Sequence, residues 1–334
     1  MTATRFCVLG AGSWGAVMAA HLHQAGHPAT CWHFIVDEAR QFESTRRHPF
    51  LKDFTFPKGL RITSDVAEAL EAGDVIVVAV PSQVVRSVME QVAPLIGDRP
   101  IMNLSKGIEQ GTLMRMSEVI EATTEVPAER IATVYGPSHA EEVMLELPTT
   151  LVAASKNLDY ARRLQTLIST ADLRVYANQD IIGVELGGSV KNVIAIAAGI
   201  CVGIGFGDNT MAALVTRGLA EITRLGLALG ADRDTFAGLA GVGDLAVTAY
   251  SRHSRNRHLG LEIGKGRKVK DVLAEMEMVA EGLYTAQSVL GLAAKNKVDM
   301  PICQEVHKVL FEGKDPRRAI SDLMTRDLRD ETAL

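Results

Sequence analysis

The chain has 334 residues, of which 47% are hydrophobic and 22% are charged, a composition typical of a globular protein of about two domains. It excludes an intrinsically disordered chain, a collagen and a disulfide-stapled scaffold. The formal net charge of −5 argues against a general nucleic-acid binder, because such proteins carry a surplus of basic residues.

The cysteines and the apolar segments indicate the cellular setting. The four cysteines, which we interpret as buried reduced thiols because they form no C-x-x-C pair, are Cys7, Cys31, Cys201 and Cys303. The apolar run before Gly10 is too short for the core of a signal peptide. The longest uncharged apolar stretch, residues 193–206, is shorter than the ~20 residues that cross a membrane. We therefore expect a cytoplasmic protein with no membrane span.

In the first half of the chain, short β-branched runs alternate with segments of helical periodicity. Strands are predicted at Phe6–Leu9, Ala29–Trp32, Leu60–Thr63, Val75–Val80, Ile101–Leu104, Ile131–Tyr135, Thr149–Ala154 and Leu173–Tyr176. Helices are predicted between them at Ala16–Ala25, Val66–Ala72 and Val84–Val92. Because several runs are apolar on both faces, as buried parallel strands are, the pattern predicts an α/β, Rossmann-like, doubly wound sheet.

The pattern changes near residue 180, beyond which we predict helices and no strands. The helical segments are Val184–Ile204, Met211–Leu229, Val269–Met278 and Thr285–Asn296. We therefore expect a Rossmann domain over residues 1–180 and an all-α domain over residues 181–334. A ligand cleft is expected where the two domains meet.

A G-x-G-x-x-G motif follows the first predicted strand and opens the first predicted helix. Its residues are Gly10, Ala11, Gly12, Ser13, Trp14 and Gly15. In such a turn the first glycine permits the tight bend, the second lets a pyrophosphate approach the backbone, and the third lets helix and strand pack closely. The strand, turn and helix together predict a dinucleotide-binding site.

The end of the second strand bears on the choice between NAD and NADP. An acidic residue there grips the ribose 2′-hydroxyl of NAD, but this strand ends at Trp32 and His33. His33 does not repel a 2′-phosphate, so we favour NADP, or the use of both cofactors. The alternative is that Asp37 reaches back to the ribose.

Two further strand ends carry polar residues, and ligands of open α/β sheets bind beyond such ends. Lys106 follows one strand between a serine and a glycine, and a role at the ligand is favoured over that of a surface lysine. Gly136 and Ser138 follow the next strand.

A lysine that precedes a long apolar run is the candidate acid or base. Lys191 follows two glycines and stands ahead of more than a dozen apolar or glycine residues. Burial and the like charge of a nearby Lys106 would lower its pKa, as general acid–base chemistry near neutral pH requires. The alternative is a lysine that extends to solvent at a helix end.

An arginine-rich segment follows Asp244 and Thr248. Arg252, Arg255 and Arg257 are interleaved with serine and asparagine donors, which favours a phosphate site over a solvated run of charge. No H-E-x-x-H motif or Cys/His cluster occurs, so no metal site is expected.

At these motifs the chain resembles the bacterial NAD(P)-dependent sn-glycerol-3-phosphate dehydrogenases over nearly its whole length. The similar segments are Gly10–Gly15, Asn103–Gly107, Gly136–Glu142, Glu185–Gly199, Gly238–Leu245 and Ser254–Arg257. The resemblance implies that Lys191 is the catalytic lysine that gives or takes the proton. It also implies that Lys106 touches both substrate and cofactor.

The resemblance implies further site residues. Those expected to hold glycerol 3-phosphate are Gly136, Ser138, Asp244, Ser254, Arg255 and Asn256. Those expected at the cofactor, besides the glycine-rich turn, are His33, Ala140, Arg255, Val279 and Glu281. Two residues depart from the family pattern: His139 stands where phenylalanine is common, and His33 stands where arginine is often found.

The motifs and the resemblance lead to one expected reaction. Lys191 protonates the alkoxide that forms from dihydroxyacetone phosphate, Lys106 stabilises its charge, and Asp244 orients Lys191 or a substrate hydroxyl. The product would supply glycerophospholipid synthesis, and a homodimer is expected. One alternative is a β-hydroxyacid dehydrogenase, whose carboxylate substrate needs no phosphate site around Arg255. A second is a non-catalytic NADP(H)-sensing regulator that binds nucleic acid through residues 252–258.

Overall fold

The computed structural model describes residues 3–328, 330 and 331, and the chain divides into two compact units. The first unit comprises Met1–Ser105 and Met116–Ile181, and the second comprises Lys106–Arg115 and Ile182–Leu334. From the sequence we expect residues 106–115 in the first domain. Their contacts place them in the second unit, because Lys106 and Arg115 both bond to side chains of that unit.

The first unit is built on an eight-stranded sheet. Its strands are β1 (Phe6–Leu9), β2 (Ala29–Trp32), β5 (Arg61–Thr63), β6 (Val75–Val78), β7 (Ile101–Asn103), β8 (Ile131–Tyr135), β9 (Thr149–Ala154) and β10 (Leu173–Asn178). Their order is β10-β9-β8-β7-β6-β1-β2-β5. Each of the eight predicted strands is present, and the Rossmann-like fold class is confirmed.

One part of the sheet differs from a wholly parallel arrangement. β9 pairs antiparallel with β8, and β10 runs parallel to β9. Only the four-residue helix α6 (Ala140–Val143) lies between β8 and β9. A parallel crossover usually contains a full helix packed across the sheet, and the short α6 provides none, which suits an antiparallel neighbour.

Helices and one hairpin complete the first unit. The remaining helices are α1 (Ser13–Gln24), α2 (Val36–Thr45), α3 (Val66–Glu71), α4 (Val85–Ile96), α5 (Met116–Thr123) and α7 (Leu158–Ile168). Two strands that the sequence pattern did not predict, β3 (Arg47–His48) and β4 (Leu51–Thr55), form a separate antiparallel pair. Cys7 and Cys31 are free and buried in this unit, as expected.

The second unit is helical, and none of its described residues lies in a strand of either sheet. Its helices are α8 (Ile181–Ile204), α9 (Asp208–Ala228), α10 (Arg233–Ala237), α11 (Asp244–Tyr250), α12 (Arg255–Gly264), α13 (Val269–Glu275), α14 (Glu281–Lys295), α15 (Pro301–Phe311) and α16 (Pro316–Met324). A π-helical turn, Leu239–Gly243, precedes α11.

Helix α8 is the centre of this unit's core. By length and composition it is the one helix among the described residues that could cross a membrane, but 83% of its apolar window is buried within the protein. Its side chains Val193, Ile196 and Ile200 belong to the same apolar cluster as Leu259 and Val289 of other helices. The apolar run is therefore explained by packing, and it carries Lys191 into the interior.

Candidate active site

The glycine-rich turn after β1 has the backbone shape that its sequence predicts. Gly10 adopts a φ of +113°, and a Cβ there would lie 2.7 Å from the carbonyl oxygen of Ala79, so only glycine fits. Gly12 precedes α1 without a side-chain cap, and a Cβ there would meet no protein atom within 4 Å. Helix α1 thus starts beside open space.

This turn fits the phosphates of a dinucleotide. The N-terminus of a helix favours negative charge, since its first N–H groups lack helical partners and the helix dipole is positive there. The open space at Gly12 leaves room for an anion close to the backbone. The turn therefore has both the shape and the electrostatics of a pyrophosphate site.

At the end of β2 the structure brings in an acidic residue that the sequence pattern did not single out. His33 is buried, and its Nε2 lies 2.7 Å from the Oε2 atom of Glu38 on α2. The side chain of Asp37, the acid weighed from the sequence, is 95% exposed and lies 3.7 Å from Arg40. Asp37 and Glu38 are adjacent on α2, and it is the side chain of Glu38 that points back towards the end of the strand.

The remaining candidates of the first unit lie at the end of β8. Gly136 follows the strand with a φ of +145°, and Ser138 donates a hydrogen bond from its Oγ atom to the Gly136 carbonyl at 3.2 Å. Ala140 is buried and begins α6. These residues occupy the carboxyl edge of the parallel strands, where ligands of open α/β sheets bind.

In the second unit, two lysines meet on one carboxylate. The Nζ atom of Lys191 donates to Oδ1 of Asp244 at 2.5 Å, and the Nζ atom of Lys106 donates to Oδ2 at 2.7 Å. Lys191 also contacts the hydroxyl of Thr248 at 2.6 Å. The side chains of Asp244, Lys191 and Lys106 are 1%, 7% and 18% exposed, so the cluster is buried.

The local sequence explains why Asp244 and Lys191 meet. Lys191 lies one turn after Gly187 on α8, and a Cβ at Gly187 would lie 2.3 Å from the carbonyl oxygen of Ala240. The missing side chain lets the π-helical turn approach α8, as the small residues before Lys191 predict. Asp244 is the first residue after that turn, and Thr248 follows it one turn along α11.

The position of Lys106 is fixed by the segment 106–115, of which it is the first residue. Arg115 donates from an Nη atom to Oε2 of Glu185 at 2.6 Å, and this ion pair is buried. The Oγ atom of Ser189 donates to the Gly107 carbonyl at 3.2 Å. Both ends of the segment 106–115 are therefore bonded to α8, the helix that carries Lys191.

The electrostatics of the cluster suit proton transfer near neutral pH. The pKa of Lys191 is lowered to about 8, mainly by burial; the Asp244 carboxylate raises it, and Lys106 adds to the decrease. A lysine tuned in this way holds a proton at neutral pH but can release it readily. Burial and Lys106 act in the direction expected from the sequence.

The arginine-rich segment surrounds the start of α12. Ser254 caps this helix by accepting a hydrogen bond from the Arg257 N–H at 3.2 Å. Arg255 donates to the carbonyl oxygen of Val279 at 3.1 Å, and Oδ1 of Asn256 accepts from the Gly282 N–H at 2.9 Å. The structure therefore brings these residues together with Val279 and the start of α14, where Glu281 lies.

Sequence reasoning missed one side chain at each of the two candidate sites, Glu185 in the second unit and Glu38 in the first. Glu185 lies in a segment that carries the family resemblance, but its partner Arg115 is 70 residues away. Glu38 belongs to α2, a helix that was not predicted. In the part of the chain that the structure describes, no group of three or more His, Cys, Asp or Glu residues could hold a metal ion.

The chain combines a doubly wound sheet that has a glycine-rich turn after its first strand with a helical unit that buries a cluster of two lysines and a carboxylate. This combination is typical of two-domain dinucleotide-dependent dehydrogenases. Comparison with known proteins specifies the family. Residues 5–161 match the N-terminus, and residues 180–321 the C-terminus, of NAD-dependent glycerol-3-phosphate dehydrogenase. The chain belongs to this family.

Individual relatives cover almost the whole chain. It is 52% identical to glycerol-3-phosphate dehydrogenase [NAD(P)+] of Prosthecochloris aestuarii, over 97% of this chain and 98% of that protein. It is 49% identical to an enzyme of the same name from Salinibacter ruber, over 98% of this chain and 96% of that protein. The solved structure of glycerol-3-phosphate dehydrogenase from Coxiella burnetii is similar with a TM-score of 0.93 and 37% identity, covering 97% of this chain and 99% of that one.

Proposed function

We propose that the protein is an NAD(P)-dependent sn-glycerol-3-phosphate dehydrogenase that interconverts dihydroxyacetone phosphate and sn-glycerol 3-phosphate. The relatives described above carry this activity in their names. The observation in this chain that carries the proposal is the buried cluster of Lys191, Asp244 and Lys106. A carbonyl reduction needs a proton donor at the oxygen, and the cluster provides one.

Lys191 is the proposed general acid and base. In the direction of reduction its ammonium group gives a proton to the oxygen that becomes the alcohol, and in oxidation its neutral amine takes that proton back. A pKa of about 8 makes both forms accessible near neutral pH. When bound, the nicotinamide cofactor supplies or accepts the hydride.

Asp244 and Lys106 support this step. Asp244 fixes the direction of the Lys191 ammonium through the 2.5 Å hydrogen bond and supplies the counter-charge that two buried lysines require. Lys106 adds a second positive charge, which stabilises negative charge on the substrate oxygen as it develops. Its bond to the same carboxylate keeps its Nζ atom beside that of Lys191.

The phosphate of the substrate is assigned to the start of α12. Arg255 offers a planar fork of N–H donors, and Ser254 a hydroxyl. The acceptor side of the Asn256 amide is already bonded to Gly282, so its donor side would face a phosphate. Gly136 and Ser138 are proposed as further substrate contacts.

The dinucleotide is assigned to the turn Gly10–Gly15 and to His33. Lys106, Ala140, Arg255, Val279 and Glu281 are proposed as further cofactor contacts. Glu38 beside His33 argues against a strong NADP preference, because a carboxylate repels a 2′-phosphate. We therefore propose that NADP and NAD are both used.

The cellular role follows from the product. We propose a homodimeric cytoplasmic enzyme whose glycerol 3-phosphate supplies glycerophospholipid synthesis. Size-exclusion chromatography with light scattering measures the oligomeric state directly, and a mass of twice 36.0 kDa is expected.

Steady-state kinetics test the proposed function. Dihydroxyacetone phosphate is expected to drive oxidation of both NADPH and NADH, while hydroxyisobutyrate is expected to give no reduction of NADP⁺ or NAD⁺. Turnover of hydroxyisobutyrate alone would favour the β-hydroxyacid dehydrogenase. Salt-sensitive DNA binding without turnover of any ketose phosphate would favour the regulator.

A further inference from the structure

A buried histidine of the first unit connects the β3–β4 hairpin to the glycine-rich turn. His48 is the last residue of β3 and is only 4% exposed. Its Nε2 atom lies 3.2 Å from the carbonyl oxygen of Ala11, which stands between the first two glycines of the turn. Its Nδ1 atom lies 3.2 Å from the main-chain nitrogen of Phe50.

These two contacts determine the protonation state of the ring. The Phe50 N–H can only donate, so Nδ1 of His48 accepts and carries no proton. In a neutral imidazole the proton then sits on Nε2, which donates it to the Ala11 carbonyl. Both nitrogens are satisfied in this tautomer, and a protonated ring would lose the bond from Phe50.

The Ala11 carbonyl belongs to the same peptide group as the N–H of Gly12, so its direction fixes the direction of that N–H. The peptide group is planar and trans, so its C=O and the following N–H point in opposite directions. Holding the carbonyl of Ala11 towards His48 therefore turns the N–H of Gly12 away from His48. Gly12 is the residue directly before α1, and it borders the open space proposed for the cofactor phosphates.

We propose that His48 is a positioning residue for dinucleotide binding, which in its neutral form holds the Ala11–Gly12 peptide in the orientation that the phosphate site requires. This inference rests on the proposed function, since it assumes that a dinucleotide binds at the turn. It assigns a role to a hairpin that lies outside the glycine-rich motif.

The surroundings of His48 restrict its ring to this pose. Its ring stacks on Phe42 at 5.5 Å between centroids and 29° between planes. Phe54 and Phe56 pack at 6.4 Å from other directions, and Phe50 at 5.8 Å. An aromatic enclosure of this kind holds the Nε2 donor in place without a charged partner.

Opposing influences act on the pKa of His48, and burial is the largest of them. Burial lowers the pKa of His48, His33 lowers it further, and the Ala11 carbonyl and the Glu38 carboxylate raise it, for a net decrease. Neutral His48 is therefore the dominant form above its ordinary pKa of about 6.5. Protonation at lower pH would release Nδ1 from Phe50 and weaken the hold on the turn.

Three variants test the inference through the affinity for NADH, which has no titrating 2′-phosphate. His48→Phe keeps a ring but removes the donor, and His48→Gln keeps an N–H donor. His21→Phe is the matched control. It removes the same kind of contact elsewhere in the first unit, that between the Nε2 atom of His21 and the main-chain carbonyl of Ile168 at 2.7 Å. Isothermal titration calorimetry measures the affinity, and urea unfolding verifies that each variant is folded.

The expected result is selective. Because an unsatisfied carbonyl frees the peptide to rotate, His48→Phe raises the Kd for NADH about tenfold. His48→Gln and His21→Phe stay within about twofold of the wild type. The wild-type affinity also falls as the pH drops through the lowered pKa of His48, and this dependence is weaker in His48→Gln because glutamine does not titrate.

Two outcomes would overturn the inference. The first is wild-type NADH affinity in His48→Phe. The second is an equal loss in His48→Phe and His21→Phe, which would indicate a general effect on the unit. If the wild type itself binds neither NADH nor NADPH, the proposed function fails, and this inference fails with it. If His48→Phe does not fold, an unchanged affinity and pH dependence in His48→Asn, which is too short to reach Ala11, would overturn it.

Discussion

The two candidate sites of this protein are built in different ways. The dinucleotide site of the first unit is made of backbone, and its main residues, Gly10–Gly15, are consecutive in the sequence. The lysine cluster of the second unit is made of side chains, and Lys191 and Lys106 lie 53 and 138 residues from Asp244. A site made of backbone can thus be recognised in the sequence as a local motif. A site made of side chains depends on how the helices pack, which no local motif shows.

The difference extends to electrostatics. The proposed dinucleotide site of the first unit relies on N–H dipoles, which need no counter-ion. The second buries two ammonium groups around one carboxylate and must keep them paired. Damage to the first site should therefore weaken binding, and damage to the second should impair the chemical step.

The largest effect is expected at Lys191. In Lys191→Met the aliphatic volume is kept but the proton donor is lost, so kcat for dihydroxyacetone phosphate should fall about a thousandfold. The Kd for NADPH, measured by calorimetry, should stay within about twofold of the wild type, because the glycine-rich turn is unchanged. Retained turnover would show that another group supplies the proton.

The next largest effect is expected at Asp244. In Asp244→Asn the two lysines lose their counter-charge and repel each other, so kcat/KM should fall about a hundredfold. Removal of the carboxylate should also lower the pKa of Lys191, since Asp244 raises it in the wild type. Steady-state kinetics across pH measure both effects, and an unchanged profile would contradict the role given to Asp244.

Gly12 tests the backbone site by itself. Gly12→Ala adds a methyl group that meets no protein atom within 4 Å, so the protein should fold normally. The methyl group would occupy the space of the pyrophosphate and raise the Kd for NADPH about tenfold. Gly207→Ala is the matched control, because Gly207 precedes α9, has equal open space, and lies in the second unit. Equal affinities in the two variants would argue against the turn as the phosphate site.

The smallest effect concerns the choice of cofactor. Glu38→Gln removes a negative charge next to His33, so the preference for NADPH over NADH should rise about two- to fivefold. Asp37→Asn is the control, because Asp37 points to solvent and faces Arg40. A comparison of kcat/KM for the two cofactors measures the ratio. A change of equal size in both variants would point to a general charge effect.

Much of the fold could be predicted from the sequence because buried parallel strands are continuous apolar runs. The β3–β4 hairpin could not be predicted in this way, since its strands are short and mix buried with exposed residues, so neither is a continuous apolar run. Helix starts were predicted late, at Val184 instead of Ile181 and at Thr285 instead of Glu281. Each of these first turns contains a glycine, Gly183 or Gly282, and glycine has a low helix propensity.

The sequence singles out individual residues of the candidate site but does not show how they are arranged. Lys191 and Asp244 each stand out beside glycines, yet their pairing depends on the close approach of α8 and Ala240 at Gly187. The Arg115–Glu185 pair has no local signal, because both residues are ordinary charged residues until packing buries them. Near His33, the sequence does not show which of two adjacent acids on α2 faces the histidine: it is Glu38, while Asp37 is exposed.

The pH dependence of the reaction in both directions tests the central claim, that Lys191 carries the proton. Reduction of dihydroxyacetone phosphate by NADH needs protonated Lys191, so its kcat/KM should fall as the pH rises through about 8. Oxidation of glycerol 3-phosphate needs neutral Lys191, so its kcat/KM should rise over the same interval. Profiles that are flat from about pH 7 to about pH 9, or that move in the same direction, would contradict the account.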